Sequence, residues 1–373
     1  MSLKDVRGQE SAINFLKSSI ACGRVGSAYL FQGLSGTGKM LTALNFAKAL
    51  NCASSRNEEE KEQFGIFGEM PPEEKNTGGA FIEINDACDK CDSCKRIEQG
   101  IHSDVIVVRP TKKPERDIES IRFYENEKSR KGSREIKIKQ IRLLEGALSL
   151  AAYEARYKVA ILDEAHLMNT PAANAFLKTL EEPPPGTVII LVSASTERLP
   201  DTVRSRCLAL NFKPLSEEEM EGILTAEYPQ PERRQTLIKL SMGRPGLALS
   251  GELFEKRKDF LKSLSEMAGG SSTAPWLDKE DIGDFIDMCG LLLRDMLIYK
   301  LTGDPGLLIN ADISKSINSL GKGAPEDVII DCYGKIAALK ANLVYNPNKS
   351  ILWNYMGALL GTLKIRKEAF ANA

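Results

Sequence analysis

Short apolar runs alternate with helical stretches along the first half of the chain. Runs rich in aliphatic and β-branched residues predict buried strands at 27–32, 105–108, 158–162 and 188–192. Apolar residues at helical spacing predict helices at 39–50, 140–151 and 170–180. Apolar strands that alternate with helices are typical of a parallel sheet covered on both faces. The pattern therefore predicts an α/β fold for this part of the chain.

Beyond Pro214 the pattern becomes almost entirely helical. Ser216 and Glu219 have the spacing of a capping box, and Leu215 and Met220 are placed as its hydrophobic staple. A helix predicted at 281–301 carries one apolar face, which is formed by Ile282, Phe285, Cys289, Leu292 and Met296. The run Gly-Gly-Ser-Ser-Thr at 269–273 is a loop or a linker. A second, all-helical region therefore follows the α/β region.

The overall composition is that of a soluble globular protein, with 42% hydrophobic and 27% charged residues. The 50 Lys and Arg residues against 51 Asp and Glu give a net charge of −1, which argues against a uniformly basic nucleic-acid binder. No apolar run reaches the length of a membrane span, and the first residues lack the apolar core of a secretory signal. We expect a cytoplasmic protein without a membrane partner.

Charge is concentrated in two stretches that interrupt the α/β pattern. Residues 53–87 hold nine acidic against three basic residues, and residues 111–142 hold eleven basic against six acidic residues. The basic stretch is suited to DNA phosphates, which lysine and arginine contact without reading sequence. A solvated insertion is the favoured interpretation of the basic stretch.

A glycine-rich turn follows the first predicted strand and opens a helix, with the spacing G-x4-G-K. This spacing wraps backbone N–H groups around a phosphate at a helix N-terminus, and the lysine reaches the outer phosphates. The expected phosphate cradle consists of Gly33, Gly36, Thr37, Gly38, Lys39 and Met40. Met40 replaces the serine or threonine that ligates Mg²⁺, and Thr42 points to another side of the helix. The glycine-rich turn favours a phosphate-binding site over a turn that contains a lysine by accident. Met40 argues against the use of ATP with Mg²⁺ at this site.

Two carboxylates, Asp163 and Glu164, end the predicted strand 158–162. In P-loop proteins such residues hold Mg²⁺ and orient or activate water, whereas the alternative is an acidic helix start. The string Asp-Glu-Ala-His also occurs in DEAH-type helicases, but the sequence shows no second motor lobe. His166 is therefore interpreted as structural.

Three cysteines, Cys88, Cys91 and Cys94, have a C-x2-C-x2-C spacing that suits one tetrahedral Zn²⁺. Cys52 and His102 are the candidates for the fourth ligand, with Cys52 favoured, and a redox C-x2-C is the competing interpretation. The scattered residues Cys22, Cys289 and Cys332 are expected to be buried thiols.

Arg206 lies in a Ser-Arg-Cys tripeptide beyond the strand predicted at 188–192. An arginine in this place can reach the γ-phosphate on a neighbouring subunit and stabilise transition-state charge. For the tripeptide by itself, an ordinary surface salt bridge is the default interpretation, and the trans contact is the alternative.

Taken in order, these motifs resemble the AAA+ clamp-loader family of bacterial DNA polymerase III. Besides the phosphate loop, the four cysteines, 163–166 and 205–207, the resemblance rests on the segments 6–9 (Val-Arg-Gly-Gln), 28–31 (Ala-Tyr-Leu-Phe), 138–142 (Ile-Lys-Gln-Ile-Arg) and 174–184 (Asn-Ala-Phe-Leu-Lys-Thr-Leu-Glu-Glu-Pro-Pro). It implies an AAA+ P-loop core with a parallel sheet at 1–213 and an inserted zinc module at about 52–94. A small helical lid at 214–250 and an all-α collar at 251–373 complete the implied organisation.

The same resemblance implies roles for individual residues. Gly36, Gly38 and Lys39 match the phosphate cradle, and Asp163 and Glu164 match the Walker B pair. The other implied roles are sensor 1 for Ser193, a trans-acting arginine finger for Arg206, and zinc ligands for Cys52, Cys88, Cys91 and Cys94. The implied partners are gamma/tau and delta subunits in a hetero-pentameric ring, the sliding clamp, and primer-template DNA through the assembly. The implied cofactors are structural Zn²⁺ and, less firmly, ATP with Mg²⁺.

Within this family the chain is most similar to the delta-prime subunits. Gly246 aligns where motor subunits place a sensor-2 arginine, and Arg244 comes two positions early. Met40 and Gly246 therefore favour a stator that supplies Arg206 to a neighbouring ATPase. The alternatives are a gamma/tau-type motor subunit or another autonomous AAA+ ATPase, which the Asp163–Glu164 pair favours.

Overall fold

The structure is a computed structural model that describes residues 1–55, 86–111, 134–268, 279–343 and 347–363. The chain forms two compact units, Met1–Pro214 and Leu215–Ala373. Most of the acidic stretch 53–87, the part of the basic stretch from 112 to 133, and the run at 269–273 lie outside the described residues. The division of the second unit near residue 250 stays a prediction.

The first unit is built on a parallel sheet. Within the described residues the sheet has five strands, β1 (Ala28–Gln32), β2 (Val105–Val108), β3 (Lys158–Leu162), β4 (Thr187–Ser193) and β5 (Leu208–Asn211). Their order is β2-β3-β4-β1-β5, and every neighbouring pair is parallel. This confirms the predicted parallel sheet. The edge strand β5, a short Leu-Ala-Leu-Asn segment with three of its four residues exposed, was not among the predicted strands.

Helices cover both faces of this sheet. They are α1 (Glu10–Ala21), α2 (Lys39–Asn51), α3 (Asp92–Glu98), α4 (Ile138–Leu148), α5 (Thr170–Glu181) and α6 (Asp201–Arg204). Alternate residues of each strand enter two separate cores: Phe31 and Ile161 pack with Phe46 of α2, whereas Leu30 and Leu162 pack with α4 and α5. Burial on both faces explains why the central strands are apolar throughout.

The carboxyl ends of the parallel strands meet at one edge of the sheet, where ligands bind in open α/β folds. The phosphate loop follows β1 at Gly33, and Asp163 follows β3 directly. Ser193 is the last residue of β4 and lies in register with Gln32 of β1. The sheet order therefore brings these predicted site residues to the same edge.

Gly33 is required by the close approach of the chain after β5. Its φ is +146°, and a Cβ atom there would lie 2.1 Å from the carbonyl oxygen of Phe212. We expect Gly33→Ala to lower the free energy of unfolding by about 3 kcal/mol or more. The matched control is Gly146→Ala within α4, where a Cβ meets nothing within 4 Å, so stability rises by up to about 1 kcal/mol. Urea unfolding gives the free energy of unfolding of each variant, and equal values for Gly33→Ala and Gly146→Ala would contradict this prediction.

The second unit is helical throughout the residues that the structure describes. Its helices are α7 (Glu217–Leu224), α8 (Pro231–Ser241), α9 (Pro245–Leu249), α10 (Glu252–Ala268), α11 (Lys279–Thr302), α12 (Ser314–Gly323), α13 (Glu326–Asn342) and α14 (Lys349–Gly361). The predicted capping box is confirmed, because the Ser216 hydroxyl accepts from the Glu219 N–H and the Glu219 carboxylate accepts from the Ser216 N–H. Leu215 and Met220 are buried in one cluster, as a staple requires.

The apolar face predicted for α11 is buried from Ile282 to Met296 in a cluster that also includes α10, α13 and α14 residues. Cys289 and Cys332 are buried in this cluster, as predicted. The prediction for Cys22 was wrong: this thiol is exposed, because it follows α1 as the C-cap and leaves the core. None of the helices in the described ranges has the length and apolarity needed to cross a bilayer.

Candidate functional site

The phosphate loop connects β1 to α2 with glycines in conformations that other residues rarely adopt. Gly36 has φ +84°, and Gly38, the N-cap of α2, has φ +92°. These conformations leave the first N–H groups of α2 at the loop, where they are available to an anion. The Thr37 hydroxyl donates to the Leu34 carbonyl at 2.9 Å and fixes the turn. The backbone therefore has the features that the spacing G-x4-G-K predicts.

Lys39 lies at the start of α2, and its side chain folds back on the loop. The Lys39 ammonium is buried and donates to the carbonyl oxygens of Gly33 and Leu34. Burial lowers the pKa of Lys39 to about 8, and the negative charge of Asp163 partly offsets that effect. The structure thus brings the predicted lysine and the predicted carboxylate into one electrostatic environment.

The loop lacks the hydroxyl that would complete a Mg²⁺ site. Met40 packs against the apolar core around Phe46, and the Thr42 hydroxyl donates to the Gly38 carbonyl at 2.9 Å. Asp163 is the remaining candidate ligand, and its Oδ2 lies 3.4 Å from Nε of Arg109. A hydroxyl and a free carboxylate are what Mg²⁺ needs in a P-loop. Met40, Thr42 and Asp163 therefore do not provide the donor atoms of a Mg²⁺ site.

Two residues without a predicted role contact this site. Gln9 is buried, and its amide donates to the Thr37 carbonyl at 3.3 Å and to the Lys213 carbonyl at 2.7 Å. It thereby ties the phosphate loop to the segment after β5. In the sequence, Gln9 belongs to the segment Val-Arg-Gly-Gln, which contributed to the family resemblance but was given no chemical role. The sequence feature that could have pointed to Arg109 is its position as a charged residue directly after the buried strand β2.

Glu164, Ser193 and His166 surround the end of β3 and β4. Glu164 has φ +49°, and its N–H donates to Oδ1 of Asp163 at 3.0 Å. The buried Ser193 hydroxyl accepts from the Ser195 N–H at 3.2 Å. Burial, together with the positive charges of Arg198 and Lys39, lowers the pKa of His166. A neutral imidazole held in this way agrees with the structural interpretation of His166.

Four cysteines converge at the carboxyl end of α2. The sulfur atoms of Cys52, Cys88, Cys91 and Cys94 all lie within 4.8 Å of one another, and none forms a disulfide. Backbone N–H groups of Cys88, Cys91 and Cys94 donate to the sulfurs of Cys52, Cys88 and Cys91, at 3.4, 3.3 and 3.5 Å. Four clustered cysteine sulfurs, three of which accept N–H···S bonds, fit a tetrahedral zinc site.

The structure separates His102 from this cluster. The imidazole Nε2 lies 3.2 Å from the Ser93 hydroxyl, and Nδ1 accepts from the Asp104 N–H at 3.1 Å. Asp104 is itself engaged, because its carboxylate accepts N–H groups from Tyr153, Glu154 and Ala155. Of the two candidates for the fourth ligand, Cys52 therefore joins the other cysteines and His102 does not.

The local environment prepares the thiols differently for a metal. Burial raises the pKa of Cys52 and of Cys94. For Cys88 burial also raises the pKa, but hydrogen bonds from Ser54 and from the N–H groups of Lys90 and Cys91 outweigh it and lower the pKa to about 6. Cys88 is therefore a thiolate at neutral pH, whereas a metal must displace the protons of Cys52 and Cys94.

Lys48 connects the cysteine cluster to the phosphate-loop helix. Its ammonium is buried and lies 3.1 Å from the carboxylates of both Asp89 and Glu98. Burial lowers the pKa of Lys48, but hydrogen bonds to Glu98 and Asp89 outweigh this and raise it. Lys48 therefore keeps its positive charge at neutral pH, and the ion pairs are lost in strongly alkaline solution, where the ammonium is deprotonated. The cluster therefore anchors the far end of the helix that begins at Lys39.

Arg206 follows α6 on the surface of the first unit. Its guanidinium lies 2.5 Å from the Glu181 carboxylate at the end of α5 and donates to the Thr202 carbonyl at 2.6 Å. Within this chain the arginine thus forms the surface ion pair that was the default interpretation of the tripeptide by itself. In the second unit, Nε of Arg244 donates to the Ser241 carbonyl at 2.8 Å.

The sequence matches known families over both units. The family described as DNA polymerase III, delta subunit matches residues 8–64 and 80–216, more than half of the chain. The family described as DNA polymerase III, delta subunit, C terminal matches residues 251–356.

Individual relatives agree with these matches. The DNA polymerase III subunit delta' of Bacillus subtilis (strain 168) is 26% identical over 365 residues, covering 94% of this chain and 96% of the relative. The subunit tau of the same organism is 27% identical over 363 residues and covers 88% of this chain, which spans only 56% of that relative's length. Among solved structures, a DNA polymerase III gamma subunit-related protein from Thermotoga maritima has 17% identity and a TM-score of 0.40, covering 94% of this chain and 99% of its own.

The family matches cover the phosphate loop, the strand ends, the cysteine cluster and Arg206 in the first unit, and most of the helical second unit. The chain therefore belongs to the DNA polymerase III delta subunit family, the clamp-loader family that its motifs resemble.

Proposed function

We propose that this chain is a delta-prime-type subunit of the clamp loader, which helps to load the sliding clamp onto primed DNA. In this role it is mainly a stator: its rigid core presents Arg206 to ATP bound by a neighbouring subunit. The observation that carries the proposal is the phosphate loop, where the partly buried Met40 packs against the core and the Thr42 hydroxyl donates to the Gly38 carbonyl. A P-loop without a hydroxyl ligand for Mg²⁺ is poorly suited to hydrolysis.

The proposed assembly is a hetero-pentameric ring with gamma/tau and delta subunits in the cytoplasm. Residues 251–373 would form the collar that holds the ring together, and residues 214–250 would form the lid. Glu164 and Ser193 would occupy the places of the water-orienting glutamate and sensor 1. The cysteine cluster would hold one structural zinc ion, which stabilises the end of the phosphate-loop helix through the Lys48 ion pairs.

The second candidate function is a gamma/tau-type motor subunit. One observation favours it: Lys39 and Asp163 share one environment, as in P-loop proteins that hydrolyse ATP. A motor subunit would turn over Mg-ATP by itself, whereas a stator would not.

ATP turnover by the purified full-length chain distinguishes the two candidates. We expect no turnover above background, alone or with primed DNA, because Met40 replaces the hydroxyl that ligates Mg²⁺ in a P-loop and the Thr42 hydroxyl donates to the Gly38 carbonyl. Adding gamma/tau and delta subunits is expected to produce DNA-stimulated turnover and clamp loading. Turnover by the isolated chain that disappears in Lys39→Ala would identify a motor subunit and overturn the stator proposal.

A further inference from the structure

Arg109 lies next to Asp163 because of the register between β2 and β3. Val108 pairs with Leu162, and the Asp163 N–H donates to the Val108 carbonyl at 2.9 Å, so Arg109 and Asp163 are the next residues across the same ladder. Opposite residues of parallel strands project to the same face. The distance from Nε of Arg109 to Oδ2 of Asp163 is 3.4 Å, and both side chains are partly exposed.

This face of the sheet is the one that carries the phosphate-loop helix. Val105, Val159 and Ile161 pack in the same core as Phe46 of α2. Residues two positions further along a strand keep the same face, which places Arg109 and Asp163 on the side of α2. The charge of Asp163 also acts on Lys39. Arg109 therefore belongs to the surroundings of the phosphate loop.

An uncompensated carboxylate at this place would repel a bound phosphate. In other P-loop proteins a divalent cation lies between the strand-end carboxylate and the phosphates and removes this repulsion. Here the donor set does not fit Mg²⁺, since Met40 supplies no hydroxyl and the Thr42 hydroxyl donates to the Gly38 carbonyl. Arg109 offsets the charge of Asp163 instead, which leaves Lys39 and the loop N–H groups to meet the anion. A guanidinium keeps its charge at all relevant pH values and hydrogen-bonds phosphate oxygens.

We propose that the phosphate loop of this chain binds nucleotide phosphates without a divalent cation, and that the Arg109 guanidinium takes over the charge compensation that Mg²⁺ provides elsewhere. The nucleotide is then a ligand that is bound and not hydrolysed. This inference concerns the chain's own phosphate loop and does not rest on the role of Arg206.

Calorimetric titration of the full-length chain with ADP and with ATP tests the proposal, in excess Mg²⁺ and in excess EDTA. The wild-type Kd is expected to agree within about twofold between the two conditions. Arg109→Gln is expected to weaken binding about tenfold in EDTA, because a charge-assisted contact is lost. Mg²⁺ is expected to restore part of this loss, since Asp163 becomes available to a metal. Arg109→Lys keeps the positive charge, so its nucleotide Kd should remain the same in Mg²⁺ and in EDTA.

Arg24→Gln is the matched control, because Arg24 is an exposed arginine that precedes β1 at the opposite edge of the sheet. It should bind nucleotide like the wild type, and thermal unfolding shows whether each variant is folded. Wild-type binding that weakens tenfold or more in EDTA overturns the proposal. Absence of binding in both conditions, or unchanged binding by a folded Arg109→Gln variant, also overturns it. The stator function is measured separately, through Arg206 in the assembled loader, so failure of that proposal and failure of this one can be told apart.

Discussion

Replacing Arg206 by alanine is expected to slow ATP hydrolysis about 10³-fold at the site that this residue faces in the assembled clamp loader. An arginine finger stabilises the charge that develops on the transferred phosphoryl group, and no other subunit supplies that guanidinium if the proposal holds. The measurement is single-turnover ATP hydrolysis by loader reconstituted with the variant. Nucleotide binding by this chain itself should be unchanged, because in the proposed ring Arg206 acts on a neighbouring subunit.

Arg204 provides the matched control for this experiment. It precedes Arg206 by two residues at the end of α6, is exposed, and pairs with Asp201. Arg204→Ala should leave loader turnover within about twofold of the wild type, because its charge is screened by solvent. Arg206→Lys should restore only part of the activity, since an ammonium lacks the planar fork of a guanidinium. Unchanged hydrolysis with Arg206→Ala would overturn the stator proposal.

The contact between Arg206 and Glu181 is compatible with this role. Both side chains are partly exposed, with relative exposures of 34% and 48%. An ion pair of this kind contributes less than about 1 kcal/mol to stability. A triphosphate on a neighbouring subunit carries more charge than one carboxylate and competes for the guanidinium. The ion pair with Glu181 is therefore weak enough for Arg206 to leave it in the proposed ring.

Loss of the zinc site is the second large effect that we expect. Cys52→Ser is expected to abolish binding of the one Zn²⁺ and to destabilise the first unit, because structural zinc contributes on the order of 10 kcal/mol of binding free energy to folding. The Lys48 ion pairs with Asp89 and Glu98 should loosen as well, since these acids flank the cysteines. Metal analysis gives the stoichiometry, and thermal unfolding with and without a chelator gives the stability.

Cys22→Ser is the matched control, because Cys22 is an exposed thiol outside the cluster. It should keep one Zn²⁺ and the wild-type unfolding temperature. Acidification should release the metal, because protons compete for the thiolates of the cluster. A wild-type chain that purifies without zinc and is indifferent to added zinc would contradict the assignment. A Cys52→Ser variant that retains full zinc affinity would also contradict the assignment. In that case His102 would become the candidate for the fourth ligand.

Local patterns in the sequence were enough to predict most of the helices and strands of the first unit and to identify the candidate site residues. The central strands were predicted because burial on both faces requires continuous apolar runs, whereas the edge strand β5, with three of its four residues exposed, was missed. The glycines of the phosphate loop and the C-x2-C-x2-C spacing act over a few residues, so their chemistry can be read without a fold. The capping box at Ser216 is local in the same way.

Contacts between residues far apart along the chain were decided only by the tertiary structure. Cys52 lies 36 positions before Cys88, and its choice over His102 depends on where the end of α2 meets the cysteine segment. Gln9 reaches Lys213 across 204 positions, and Arg109 reaches Asp163 across 54 because β2 and β3 are neighbours in the sheet. Spacing within a motif specifies which residues can perform a chemistry. Sheet order and packing determine which charges and hydroxyls meet, and here they place Met40 against the core and Arg109 beside the Asp163 carboxylate.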